Sequence, residues 1–85
     1  MKTITPDLLD KTREGGRACL RQAILLCPDG NDLGNFCRQA ANEAAKVAVA
    51  EGYPVTKAAQ IAAAFLEGVN EEALRVGYRI IWGNA

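Results

Sequence analysis

Residues 40–66 read AANEAAKVAVAEGYPVTKAAQIAAAFL, and this stretch decides the fold because it holds eleven alanines in two segments separated by Glu51–Val55. Alanine has the highest intrinsic helix propensity and loses no side-chain entropy on burial, so two alanine-rich helices can pack closely. Gly52 is suited to cap the end of the first of them, and Pro54 prevents its continuation. The stretch therefore predicts a helical hairpin at the centre of an all-α protein.

Further start and stop signals extend this hairpin into a compact four-helix domain that comprises the whole chain, residues 1–85. Thr5, before Pro6, is a candidate N-cap for a first helix, and the turn residues 28–30 end that helix. Thr56 is a candidate N-cap for the third helix. Gly68 is expected to end that helix, and Asn70 to cap a fourth. We expect helices at about 6–27, 32–51, 57–67 and 71–82.

The predicted third helix is apolar on nearly every side, since only Lys57, Gln60 and Glu67 are polar. Such a helix is normally buried on nearly every side. In a chain of this length, that burial requires three covering helices or a second subunit. We therefore expect a homodimer.

Apolar positions at helical spacing give the buried faces of the second and fourth helices. For the second helix they are Leu33, Phe36, Cys37, Ala40, Ala44, Val47 and Ala48. For the fourth they are Leu74, Tyr78, Ile81 and Trp82. The β-branched and aromatic run 78–82 is also compatible with a short strand, but no partner strand is visible in the sequence.

Gly15 and Gly16 interrupt the apolar stripe of the first helix. Two glycines cost a helix about 2 kcal/mol relative to alanines. Either the helix kinks there or another backbone packs against the bare surface. The periodicity continues on both sides, which favours one helix weakened in its middle.

Composition excludes several classes of function. The chain has no histidine and a formal net charge of zero, so it lacks serine–histidine and cysteine–histidine nucleophile pairs and the usual zinc sites. No glycine-rich phosphate loop is present. The longest apolar run, Ile61–Leu66, is far shorter than the ~20 residues of a membrane span. We expect a cytoplasmic protein that is not an enzyme, has no catalytic residues, cofactor or metal, and does not bind membranes.

The three cysteines, Cys19, Cys27 and Cys37, match no zinc or redox motif by their spacing. We interpret them as free thiols that pack as small hydrophobic side chains in a reducing compartment. A Cys27–Cys37 bridge across the intervening turn is the alternative, and it would leave Cys19 unpaired.

A row of arginines is the clearest charged patch. Arg13, Arg17 and Arg21 recur every four residues and therefore line one face of the first helix. A solvated face opposite the core would explain them. The functional interpretation is an anionic partner, and the neutral chain favours an acidic protein surface over a phosphate backbone.

Residues 60–79 approximate the spacing of a helix-turn-helix, with Gly68 in the turn and with Arg75 and Arg79 as candidate DNA contacts. Glu71 and Glu72 stand against this interpretation, because they would place two carboxylates at the leading end of the reading helix, facing phosphates. We keep a DNA-binding regulator as the alternative.

The sequence thus favours a small helical protein that binds another protein stoichiometrically, as inhibitors, adaptors and assembly factors do. Small proteins of this kind include inhibitors encoded by phages and other mobile elements. Arg13, Arg17 and Arg21 are the predicted contact face. Ile81 and Trp82 are a candidate apolar anchor, because exposed aromatic residues often dominate interfaces.

Overall fold

The computed structural model describes residues 3–26 and 30–78, and these fold into three α-helices. Helix α1 comprises Pro6–Leu26, α2 comprises Gly30–Ala50, and α3 comprises Val55–Val76. The all-α class is confirmed, and so is a single uninterrupted first helix.

The prediction of four helices is wrong, because the expected third and fourth helices, 57–67 and 71–82, are parts of one helix, α3. Gly68 does not end a helix. It lies buried in the interior of α3, where its missing side chain admits the backbone of α1. Asn70 is an exposed residue of the same helix and caps nothing. A tertiary contact thus outweighs the local preference of glycine for helix ends.

The end of the chain also differs from the prediction. Helix α3 stops at Val76, and Gly77 adopts a left-handed conformation with φ 74°. The Tyr78 N–H donates to the Ala73 carbonyl at 2.8 Å, which completes a Schellman motif. The expected helix over 71–82 therefore ends early. Ile81 and Trp82, and the possible strand over 78–82 beyond its first residue, lie outside the described residues.

Several local signals are confirmed. The Thr5 hydroxyl accepts a hydrogen bond from the Leu8 N–H at 3.2 Å, as an N-cap does. Gly52 has φ 105° and follows the end of α2. Thr56, by contrast, is not an N-cap. Helix α3 begins at Val55, one residue before Thr56. Pro54 therefore occupies the N-cap position, and it makes no side-chain hydrogen bond there.

Two ion pairs between α1 and α3 establish the relative direction of these two helices. Arg13 pairs with Glu67, and Arg17 pairs with Glu71, both across 54 residues of sequence. A constant separation means that the two helices are parallel and keep one register. Helix α2 runs antiparallel to both and packs beside them, and residues 51–54 join it to α3.

The core consists of two clusters, one near each end of the bundle. The first contains Leu20, Ala23, Leu33, Cys37, Val69 and Ala73 and draws on all three helices. The second contains Ala48, Ala58 and Ile61, and Ile4 and Leu8 pack against it. Helices α1 and α3 are in direct backbone contact between the clusters, at Gly16 and Gly68.

Within the single chain, the predicted third helix, 57–67, is not buried on nearly every side, and its burial against a second subunit stays a prediction. One face of α3 contacts α1 and α2, but Val55, Ala59 and Ala63 are exposed. Three other expected core residues also face solvent: Phe36 is 37% exposed, Val47 is 55% exposed and Leu74 is 83% exposed. A three-helix bundle has too few elements to cover them.

Candidate functional site

An open groove runs between α2 and α3 and has a volume of about 650 Å³. We call it the α2–α3 groove. Most of its lining side chains are alanine or valine, so the lining is small and apolar. The lining residues are Asn42, Ala45, Lys46, Val49, Val55, Ala58, Ala59, Ala62, Ala63 and Leu66.

The groove is open because α1 occupies the opposite side of α3. The alternation of burial along α3 shows this directly: Ala64 is buried at 3% exposure, whereas its neighbour Ala63 is exposed. At the start of α3, Val55 is 74% exposed. In a four-helix bundle, another helix would cover this face. Within the described residues, none does.

Lys46 is the charged residue of the groove lining. Its ammonium group pairs with Glu43, one turn earlier, at 3.2 Å. Both side chains are well exposed, so this pair is weak and easily rearranged. A second, more polar depression of about 450 Å³ adjoins it on α2, lined by Phe36 and Gln39 among others.

The row of arginines on α1 faces the carboxylates of α3. Arg13 Nε donates to Glu67 at 2.9 Å, and Arg17 Nη2 donates to Glu71 at 2.7 Å. These hydrogen bonds raise the pKa of both arginines above its ordinary value, so both stay charged. The sequence correctly places the arginines on one face, but that face is occupied within the molecule.

The row continues as a connected network. Arg17 also pairs with Glu14 at 2.7 Å, and Glu14 reaches Arg21 at 3.7 Å. Arg21 in turn pairs with Glu72 at 3.2 Å, and Glu72 pairs with Arg75 at 2.7 Å. We call these contacts, with Arg13–Glu67 and Arg17–Glu71, the ion-pair seam. It joins α1 to α3 along one edge of the bundle.

Glu72 is the buried member of the seam, with its side chain only 2% exposed. Arg75 donates to both carboxylate oxygens, at 2.8 Å and 2.7 Å. The hydrogen bonds from Arg75 lower the pKa of Glu72 to about 2, with a smaller contribution from Arg21 and against the opposing effect of burial. Glu72 is therefore ionised at any physiological pH, and its role in the structure is to hold α1 and α3 together.

These contacts affect the residues predicted to bind partners. Arg13, Arg17 and Arg21 lie together, as expected, but each is paired with a carboxylate of α3. A partner at this face would have to compete with those carboxylates. Arg75 is exposed apart from its pair with Glu72. Arg79, Ile81 and Trp82 lie outside the described residues.

The helix-turn-helix expected over residues 60–79 has no turn where one is needed. Gly68, its predicted turn glycine, lies inside α3, which continues to Val76. A continuous helix cannot place two segments at the angle that the motif uses in the major groove. The DNA-binding alternative has therefore lost the geometry on which it rested.

Sequence reasoning did not identify the α2–α3 groove. The available signal was the helix that is apolar on every side, and it was interpreted as evidence of burial. Read together with the exposed Ala59 and Ala63, the same pattern marks an apolar surface that the described helices leave open.

The part of the chain that the structure describes contains no group of three or more potential metal ligands. Within residues 3–26 and 30–78, no helix combines the length and the apolar character that crossing a bilayer requires. Comparison of the chain with models of protein families, with curated proteins and with solved structures found no match. What the protein does must therefore be inferred from its own geometry.

Proposed function

We propose that the chain is a small non-catalytic protein that binds one copy of another protein, as an inhibitor, adaptor or assembly factor does, through the α2–α3 groove. The observation that carries the proposal is the groove itself, an apolar depression with a volume of about 650 Å³ that the described helices leave uncovered. Exposed apolar patches on globular proteins mark sites where other molecules bind.

The groove fits an amphipathic helix with large apolar side chains. Its lining combines alanines of both helices, such as Ala45, Ala59 and Ala62, with the larger side chains of Val49, Val55 and Leu66. The small alanine side chains leave room for bulky groups of a partner. Helices that dock in this way present anchors at positions i, i+3, i+4 and i+7. Lys46 at the rim favours an acidic residue beside that apolar stripe.

A second copy of the chain is the competing occupant, as the expected homodimer would have it. In a two-fold dimer the same surface meets itself. A second copy would bring the same apolar lining to the interface as a different partner would, so the measurement of oligomeric state separates the two.

A cytoplasmic location is part of the proposal. Neither Cys19 nor Cys37 is in a disulfide, which suits a reducing compartment. The sequence-based interpretation of the arginines as a contact face stays a prediction, as does the anchor at Ile81 and Trp82. A triple charge reversal of the arginines would break every contact of the ion-pair seam between α1 and α3, whereas Arg21→Gln, at the most exposed of the three, removes only the contacts of Arg21 with Glu14 and Glu72.

Matched variants of α3 test the groove. Ala63→Glu places a charge in the groove at an exposed position, and Gln60→Glu places the same charge on the exposed surface of α3 outside the lining. Wild type and both variants are used as bait in a host-cell lysate, bound proteins are identified by mass spectrometry, and the complex is rebuilt from purified proteins. We expect a 1:1 complex with the partner. Gln60→Glu should retain its affinity, and Ala63→Glu should lower the affinity measured by calorimetry at least tenfold.

Equal binding by wild type and Ala63→Glu would overturn the proposal. Light scattering of the isolated protein is the second experiment, and it measures the oligomeric state. A wild-type dimer that Ala63→Glu dissociates would show that a second copy fills the groove, and the proposal of a different partner would then be wrong.

A further inference from the structure

Two thiols of different exposure meet between α1 and α2. Cys37 is fully buried in the core cluster that includes Leu20 and Leu33. Cys19 is only half-buried, packs against that cluster and is hydrogen-bonded to Cys37. Neither cysteine is in a disulfide. An accessible thiol in contact with a sheltered one is the arrangement of a reacting cysteine and its resolving cysteine.

We propose that Cys19 and Cys37 form a reversible disulfide that links α1 to α2 when the protein meets a peroxide. Cys19 is the reacting thiol, because solvent reaches it. Cys37 is the resolving thiol, because its burial shields it from the oxidant but not from Cys19. The site is a modification site independent of the α2–α3 groove.

The environment of Cys19 suits this order of events. The hydrogen bond with Cys37 lowers the pKa of Cys19 to about 7, and partial burial opposes the shift. Cys19 therefore loses its proton more readily than an ordinary thiol, and the thiolate is the nucleophilic form.

The chemistry balances with one peroxide for each pair. The Cys19 thiolate attacks one oxygen of hydrogen peroxide, so that an S–O bond forms, the O–O bond breaks and hydroxide leaves to take up a proton as water. The Cys37 sulfur then attacks the sulfenic sulfur of Cys19, so that an S–S bond forms and the S–O bond breaks. The hydroxyl group leaves with the Cys37 proton as a second water. Two thiols are oxidised, and one peroxide is reduced to two waters.

The proposed pairing differs from the bridge that the sequence suggested. That alternative joined Cys37 to Cys27, which lies outside the described residues. Among the described residues, Cys37 contacts Cys19 across the interface of α1 and α2. The sequence could not show this contact, because it depends on how the two helices pack.

Peptide mapping of the oxidised full-length chain distinguishes the pairings. Trypsin cleaves after Arg17, Arg21 and Arg38, so Cys19 falls in peptide 18–21, whereas Cys27 and Cys37 share peptide 22–38. The Cys27→Ser variant removes the ambiguity. It is reduced, treated with one equivalent of hydrogen peroxide, blocked with N-ethylmaleimide, digested and analysed by mass spectrometry.

We expect peptides 18–21 and 22–38 of Cys27→Ser to be joined, with two hydrogens lost per chain, and dithiothreitol to separate them. The monomer should persist on a non-reducing gel, and the oxidised form should melt at a higher temperature than the reduced one because the link restrains the unfolded chain. Cys19→Ser should not form this link. It should also consume peroxide more slowly, and circular dichroism should show it to be folded.

Two results would overturn the proposal. One is oxidation of Cys27→Ser to sulfinic acid or to intermolecular dimers without the joined peptides. The other is a wild-type link that fragmentation places at Cys27.

Discussion

Gly68 of α3 lies so close to the main chain of Arg13 in α1 that a methyl group at position 68 would overlap the Arg13 carbonyl oxygen. The relationship is reciprocal, because a methyl group at Gly16 would overlap the carbonyl oxygen of Phe65. Two glycines, one on each helix, thus bring α1 and α3 into backbone contact. The close approach also sets the register in which the ion-pair seam forms.

Gly68→Ala should destabilise the protein by about 1–3 kcal/mol, the usual range for overpacking. The added methyl group meets backbone atoms, which can move only if the helices separate. This cost should exceed the gain in helix propensity of about 1 kcal/mol. Urea unfolding followed by circular dichroism measures the change.

Gly15→Ala is the matched control. Its new methyl group would meet only the Phe65 ring, at 3.8 Å, which is ordinary van der Waals contact. We expect this variant to gain about 0.5–1 kcal/mol from helix propensity. If Gly68→Ala were as stable as Gly15→Ala, the close contact of α1 with α3 would be wrong.

The contrast between Gly52 and Gly68 shows what could be predicted from sequence. Gly52 ends a helix through local backbone geometry, which a reader of the sequence can recognise beside Pro54. Gly68 has similar local signals in Asn70 and the following glutamates, but a contact with α1 decides its role. That contact depends on a residue 55 positions away, so a local pattern cannot reveal it.

The ion-pair seam illustrates the same limit. Helical periodicity places Arg13 and Arg17 on one face, and the structure agrees. Their partners Glu67 and Glu71 follow only from the parallel register of α1 and α3. The α2–α3 groove also lies beyond local reasoning, because it depends on the number of helices. Local signals divide α3 into two helices, and a four-helix bundle would have no such open face.

The Glu72 carboxylate should make the stability of the protein depend on pH in the acid range. Its pKa of about 2 lies below its ordinary value of 4.5, so the ionised form stabilises the fold. This contribution is complete above pH 4.5 and is lost as the pH falls from 4.5 towards 2. Glu72→Gln should therefore melt well below wild type near neutral pH, and the two melting curves should converge near pH 2.

The control for this prediction is Glu43→Gln, at an exposed carboxylate that pairs only with Lys46 among the contacts resolved for it. Its melting temperature should follow that of wild type across the same range. A constant difference between Glu72→Gln and wild type down to pH 2 would contradict the role assigned to the Glu72 charge.

Neighbouring alanines of α3 should respond oppositely to the same substitution. Ala63→Glu should change the free energy of unfolding by no more than about 0.5 kcal/mol, as surface substitutions do. Ala64→Glu should prevent folding or cost at least about 3 kcal/mol, because it places an unpaired carboxylate in the core. Thermal melts compare the two. Equal tolerance at both positions would mean that α3 presents a different face to its neighbours.

The last prediction concerns the C-terminal end of α3 and the sign of the change in stability that a substitution there produces. Gly77 has φ 74°, and among the described residues other than its two chain neighbours, a methyl group there would meet no atom within 4 Å. Gly77→Ala should therefore destabilise by roughly 1 kcal/mol through backbone conformation alone, and Gly77→Asn should cost less because asparagine tolerates this region. If the helix instead continued through residue 77, as the sequence suggested, alanine would stabilise it by about 1 kcal/mol. Urea unfolding separates the two cases, because a gain in stability with Gly77→Ala is incompatible with a left-handed residue at that position.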